Sequence, residues 1–161
     1  MHITRGTDVA LRVLMLLARS SEPKLSINCV AAQLNLPERH VGKIVQVLAR
    51  HGWVATVRGR TGGVIITSAG LATSADAVLT AIEGDDPVLD CFDPPCPLLK
   101  GGCELRTALD SAQHAFRAQL AGATIGDLAG RHSDVAGGYE FPASGGTGRR
   151  VRDTRMAAVG R

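Results

Sequence analysis

The sequence predicts a mainly α fold with a small β-hairpin wing: a winged helix-turn-helix followed by a long dimerisation helix. Three observations predict it. Two short helical segments are joined by the tight turn Asn35-Leu36-Pro37. Two β-branched runs around a basic, glycine-rich tip follow at once. From Leu105 to Leu120 an apolar residue then recurs every three or four positions. A chain of 161 residues suits one compact unit with appendages.

In residues 5–19, Val9, Val13, Leu16 and Leu17 recur at helical spacing, with Thr4 or Thr7 placed to cap the start. Ser20, Ser21 and Pro23 end this helix. Ser26 reads as the N-cap of a helix over 27–34. Asparagine at 35 tolerates a left-handed backbone, and Pro37 is preset for the first turn of a helix over 37–51. There Val41, Ile44, Val45 and Leu48 form a half-buried stripe. Residues 53–57 and 64–67 are β-branched strands separated by Arg58-Gly59-Arg60-Thr61-Gly62-Gly63. Residues 70–83 read as one helix ended by Gly84, 85–103 as a loop, 104–120 as a helix, and 125–129 as a short helix capped by Thr124. From 131 onward the composition is that of a flexible basic tail. The expected organisation is a DNA-binding unit over 1–83, a cysteine loop over 84–103, a dimerisation segment over 104–130 and a tail over 131–161.

Composition excludes several classes. Hydrophobic residues at 45% and charged residues at 20% rule out a largely disordered chain. Arg12 interrupts the longest apolar stretch, at 9–18, which falls short of the about 20 residues of a membrane span. No basic region, apolar run and cleavage site occur in order at the N-terminus, so the expected location is cytoplasmic. The net charge of +3 conceals an asymmetry: residues 1–67 carry +6, residues 68–130 carry −6 and residues 131–161 carry +3. That pattern points to a polyanion-binding N-terminal half, although charge alone fits a solvated basic face as well.

The helix-turn-helix decides between these. Ala31 is small where two helices cross, Asn35 sits at the turn, and Val41 faces the first helix. In such a unit the second helix enters the major groove. Arg39, His40, Lys43 and Gln46 lie opposite its apolar stripe. Arg39 can pair with guanine, Gln46 with adenine, and Lys43 with base or phosphate. The wing adds Arg58 and Arg60, with glycines, Gly62 among them, that let the backbone approach the duplex. Double-stranded operator DNA is the expected partner.

Of four cysteines, Cys29 stands alone, while Cys91, Cys96 and Cys103 share a turn-rich loop with spacing C-x4-C-x6-C. In a cytoplasmic chain such thiols are metal ligands or redox groups more often than disulfides. Structural zinc favours closer pairs and a fourth ligand, and no histidine follows within ten residues. An iron–sulfur cluster suits the loop equally well, and the N-terminus of the helix from Glu104 would favour its negative charge.

These pieces together, with I-T-x-x-T-D around Asp8, R-H-x-x-K of Arg39, His40 and Lys43, and D-C-F-D-P-P-C followed by C-E-L-R, resemble the NsrR-type nitric-oxide-sensing repressors. These form a branch of a larger family of winged-helix regulators, and the resemblance covers about residues 1–130. It implies a homodimer with a [4Fe–4S] cluster held by Cys91, Cys96 and Cys103 of one chain and Asp8 of the partner subunit, with nitric oxide as the signal. By its position alone, Asp8 is a first-turn helix carboxylate. The second cysteine gap, six residues, is one longer than in the relatives. The branch that controls iron–sulfur assembly has a histidine ligand where this chain has Arg106, so a [2Fe–2S] cluster is the alternative rather than the expectation. A zinc- or thiol-based redox switch on the same cysteines is a competing regulatory reading. An enzyme has no support: there is no nucleophile–base pair, phosphate loop or second cofactor signature.

Overall fold

The computed structural model describes residues 3–59, 62–98 and 102–130. Arg60 of the wing tip, Lys100 and the expected basic tail at 131–161 lie outside them. Helix α1 (Arg5–Arg19) begins at Thr4, whose hydroxyl accepts from the Thr7 amide, and buries Val9, Ala10, Val13, Leu14 and Leu17. It is the hub of the fold, packing against α2 (Ile27–Leu34), α3 (Glu38–Arg50), α5 (Ala75–Glu83) and α7 (Ile125–Gly130).

Local sequence explains the next two helices. The Ser26 hydroxyl accepts from the Cys29 amide at 3.1 Å, the N-cap bond expected for α2. Asn35 ends that helix at φ 53°, in the left-handed region that asparagine tolerates better than most residues. Its amide and that of Leu36 return to Ala32 and Ala31 carbonyls, closing the turn that aims α3. On α3, Val41, Ile44, Val45 and Leu48 are buried, as their spacing predicts.

Strands β1 (Val54–Val57) and β2 (Gly63–Ile66) pair antiparallel, from Val54↔Ile66 to Val57↔Gly63. The sheet has a third contributor that the sequence did not announce. Leu25 exchanges two backbone hydrogen bonds with Val64, at 3.1 and 2.7 Å, and fastens the wing to the start of α2.

The expectation of one helix over 70–83 is corrected. The chain forms α4 (Ser68–Ala72) and then α5, with Thr67 and Ser74 each capping its own helix. Between them the backbone is extended, because Ile125 N donates to Thr73 O and Ala75 N to Ala123 O, both at 2.9 Å. A tertiary bridge between Ser74 and Thr124 thus interrupts a helical pattern. Helices α6 (Glu104–Ala121) and α7 complete the described chain. None of the described helices is long and apolar enough to cross a membrane.

At the junction of wing and α4, Gly70 sits where a Cβ would overlap the Trp53 carbonyl oxygen and press Ile66 Cγ1 at 3.0 Å. That oxygen also accepts from the Thr67 amide and hydroxyl. Gly70→Ala is therefore expected to cost about 1–3 kcal/mol of stability, the range for overpacking a tight site, read as a lower urea midpoint.

Candidate nucleic-acid interface and cysteine loop

The helical wheel of α3 divides cleanly. Opposite the buried stripe, Arg39, Lys43 and Gln46 are exposed together. His40 differs: it is half-buried, and its Nε2 is buried without a hydrogen-bond partner among the described residues. On the wing, Arg58 is exposed directly after β1. Gly59 has φ +115°, and a Cβ on Gly62 would overlap the Val57 carbonyl oxygen. The Gly62 amide donates to Gly59 O at 2.9 Å, so the wing tip itself requires these glycines whatever it touches.

The cysteine loop leaves α5 at Gly84 (φ +84°) and ends where Cys103 opens α6. Side chains of α6 pin its first part. The Gln113 amide group donates to Asp86 O at 2.9 Å and accepts from the Val88 amide at 3.1 Å. Arg117 is ion-paired with Asp76 and Asp85 and bonded to Thr80. Further along, the Arg106 guanidinium lies over the Phe92 ring, 5.0 Å from its centroid. The Cys96 amide donates to Cys91 O at 3.0 Å and closes the turn between the first two thiols. Asp90 Oδ1 accepts from the amides of Phe92 and Asp93, and these donors hold its carboxyl below the usual carboxylate range.

All four cysteines are free; Cys91 is buried, Cys96 and Cys103 half-buried. Cys103 stands at the N-cap of an 18-residue helix, beside amides that favour an anion, and its sulfur makes no cap bond to them. Among the described residues no three His, Cys, Asp or Glu groups converge to hold one metal ion. Mononuclear zinc needs its donors around one centre, whereas cluster thiolates bind separate iron corners. The donor set of three soft sulfurs on one loop fits an iron–sulfur cluster.

Asp8 lies in the first turn of α1 and is half-exposed, with Arg12 Nε 2.7 Å from Oδ1. An exposed i,i+4 pair of this kind contributes only about 0.3–0.5 kcal/mol. Sequence reasoning missed the clasp beside it. Glu83, at the end of α5, accepts from the Thr4 amide at 2.8 Å and from the hydroxyl of fully buried Thr7. It ties the start of α1 to the point where the cysteine loop departs. No local signal marks a pair 76 residues apart.

A helix-turn-helix with a hairpin wing and a basic face on its second helix defines the winged-helix class of transcription regulators. Residues 3–131 match Rrf2, described as an iron-dependent transcriptional regulator family, and the chain belongs to that family. It is 41% identical over 131 residues to the HTH-type transcriptional repressor NsrR of Streptomyces coelicolor, covering 80% of this chain and 88% of that one. To the NsrR regulator of Geobacillus kaustophilus it is 36% identical over 132 residues, covering 80% and 89%. The fold also matches the structure of CymR, the global cysteine regulator of B. subtilis, with a TM-score of 0.66 at 24% identity, over 80% of this chain and 96% of that one. These relatives are regulators, not enzymes.

Proposed function

We propose that this NsrR-like chain is a homodimeric repressor that senses nitric oxide through a [4Fe–4S] cluster held by Cys91, Cys96 and Cys103 and by Asp8 of the partner subunit. The observation that supports it most is one chain's pairing of a basic recognition helix with a three-thiol loop seated at the N-terminus of α6. When bound, the cluster supplies an iron centre that reacts with nitric oxide.

The chain's own residues do the rest. Arg39, Lys43 and Gln46 read base edges, while Arg58 and Arg60 hold the backbone beside the wing. Helix α6 has no buried residue within one chain, and Leu105 is 62% exposed on it, which supports its role as the dimer seam. Through Asp8, α1 of one chain is tied to the cysteine loop of the other. That tie sets the separation of the two α3 helices, which must match half-sites about 34–36 Å apart. Release of Asp8 frees α1 and lowers operator affinity. The proposed division into a DNA-binding unit over 1–83, a loop over 84–103 and a dimerisation segment over 104–130 follows from these roles.

The deciding experiment is an anaerobic DNA-binding titration with and without nitric oxide, alongside iron, sulfide and zinc analysis. Iron with sulfide, and operator release on adding nitric oxide, are expected. Zinc in a colourless protein would instead establish the thiol- or zinc-based switch. A second expectation separates contacts by kind. Arg58→Ala weakens binding to every duplex, whereas Arg39→Ala costs about 1–3 kcal/mol at the operator and relaxes its sequence preference. Equal affinity and selectivity in both variants would remove the winged-helix assignment of contacts.

A further inference from the structure

Helix α3 carries a glycine in its second turn that no packing contact among the described residues requires. Gly42 has ordinary helical backbone, and glycine is the poorest helix former after proline. At Gly62 and Gly70 a Cβ would overlap backbone, but at Gly42 it would meet nothing within 4 Å beyond its own helical turn among the described residues. Alanine would fit there and strengthen the helix. The missing side chain therefore has no explanation in the packing among the described residues.

Its neighbours supply one. Gly42 is adjacent to Lys43, three residues after Arg39 and four before Gln46, so it borders the exposed polar face of α3. A recognition helix lies in the major groove with this part against the base edges. There a side chain sets how closely the helix axis can approach the groove floor, and glycine allows the nearest approach.

We propose that Gly42 is a specificity-determining position: its bare backbone seats α3 deep enough for Arg39, Lys43 and Gln46 to reach base edges. The inference rests on α3 being the recognition helix and adds to it a residue that acts by having no side chain.

The test uses the full chain, purified anaerobically, and a duplex enriched by the wild type from a random-sequence pool. Gly42→Ala and Gly42→Leu both replace glycine with a better helix former, so each should raise Tm, by about 2–4 °C. Affinity for the selected duplex should fall about tenfold for Ala and about a hundredfold for Leu, the scale of lost base contacts. Affinity for an unrelated duplex should stay within about twofold, because phosphate contacts carry non-specific binding. Selected-duplex affinity unchanged in both variants would overturn the proposal. So would an equal loss on both duplexes, or a lowered Tm. If the wild type enriches no sequence at all, the recognition-helix reading fails first and takes this proposal with it.

Discussion

Cys96→Ala is expected to yield a folded protein that carries no cluster if the proposed ligand set is right. Cys96 is half-buried and sits outside the hydrophobic core, which is built from α1, α2, α3, the wing, α5 and α7. Its removal leaves that core intact, so the far-ultraviolet spectrum and unfolding midpoint should remain near those of the wild-type protein without cluster. The loss of metal should be complete rather than partial, because in the proposed site each of the three thiolates would hold a separate iron and no other cysteine lies on the loop. Cys29 cannot substitute. It lies on α2, where its sulfur accepts from Gln33 Nε2 at 3.2 Å. Cys29→Ala should therefore keep full iron and sulfide content, and Cys91→Ala and Cys103→Ala should behave as Cys96→Ala does. Iron and sulfide analysis after anaerobic reconstitution, with the visible absorption spectrum, checks all four variants. Wild-type iron content in Cys96→Ala, or cluster loss in Cys29→Ala, would overturn the ligand assignment.

What the sequence made legible is what neighbours in the chain decide. The caps at Thr4, Ser26 and Thr124, the left-handed turn at Asn35 and the stripe on α3 each depend on residues within one or two helical turns. All were readable. The break between α4 and α5 was not, because its cause lies at 123–125, some fifty residues on. The same holds for Leu25 on Val64 and for Glu83 on Thr7, contacts that the fold creates and no periodicity announces. At the site, thiol spacing disclosed the loop, while the grip of Gln113, Arg117 and Arg106 upon it emerged only in three dimensions. Asp8 is the extreme case. In its own chain it is one half of an ordinary helix ion pair with Arg12, and only resemblance to a family raised its proposed role across a dimer. His40 is less plain than its wheel position suggests: the residue is half-buried, with its Nε2 turned away from solvent.

Leu48→Ala should be the most destabilising of the substitutions considered, at about 3 kcal/mol. Leu48 is fully buried on the core side of α3 and belongs to the cluster that includes Val41, Val45 and the α1 residues Val13 and Leu14. Truncation removes three carbons from a close-packed interior and leaves a cavity; the range for such changes is about 2–5 kcal/mol. Against a total stability of roughly 5–15 kcal/mol this is a large fraction, but it leaves most molecules folded at low temperature. Val41, Ile44 and Val45 still hold α3 to the core, so its exposed face keeps its orientation. Leu48→Ala should thus lower the urea midpoint sharply while operator affinity at low temperature changes little. Arg39→Ala should do the opposite, since an exposed helix residue moves stability by no more than about 0.5 kcal/mol. Urea unfolding and operator titration of both variants test the pair together. If Leu48→Ala lost operator binding as severely as Arg39→Ala while still folded, α3 would not be held by this stripe, and the separation of its anchoring face from its reading face would be wrong.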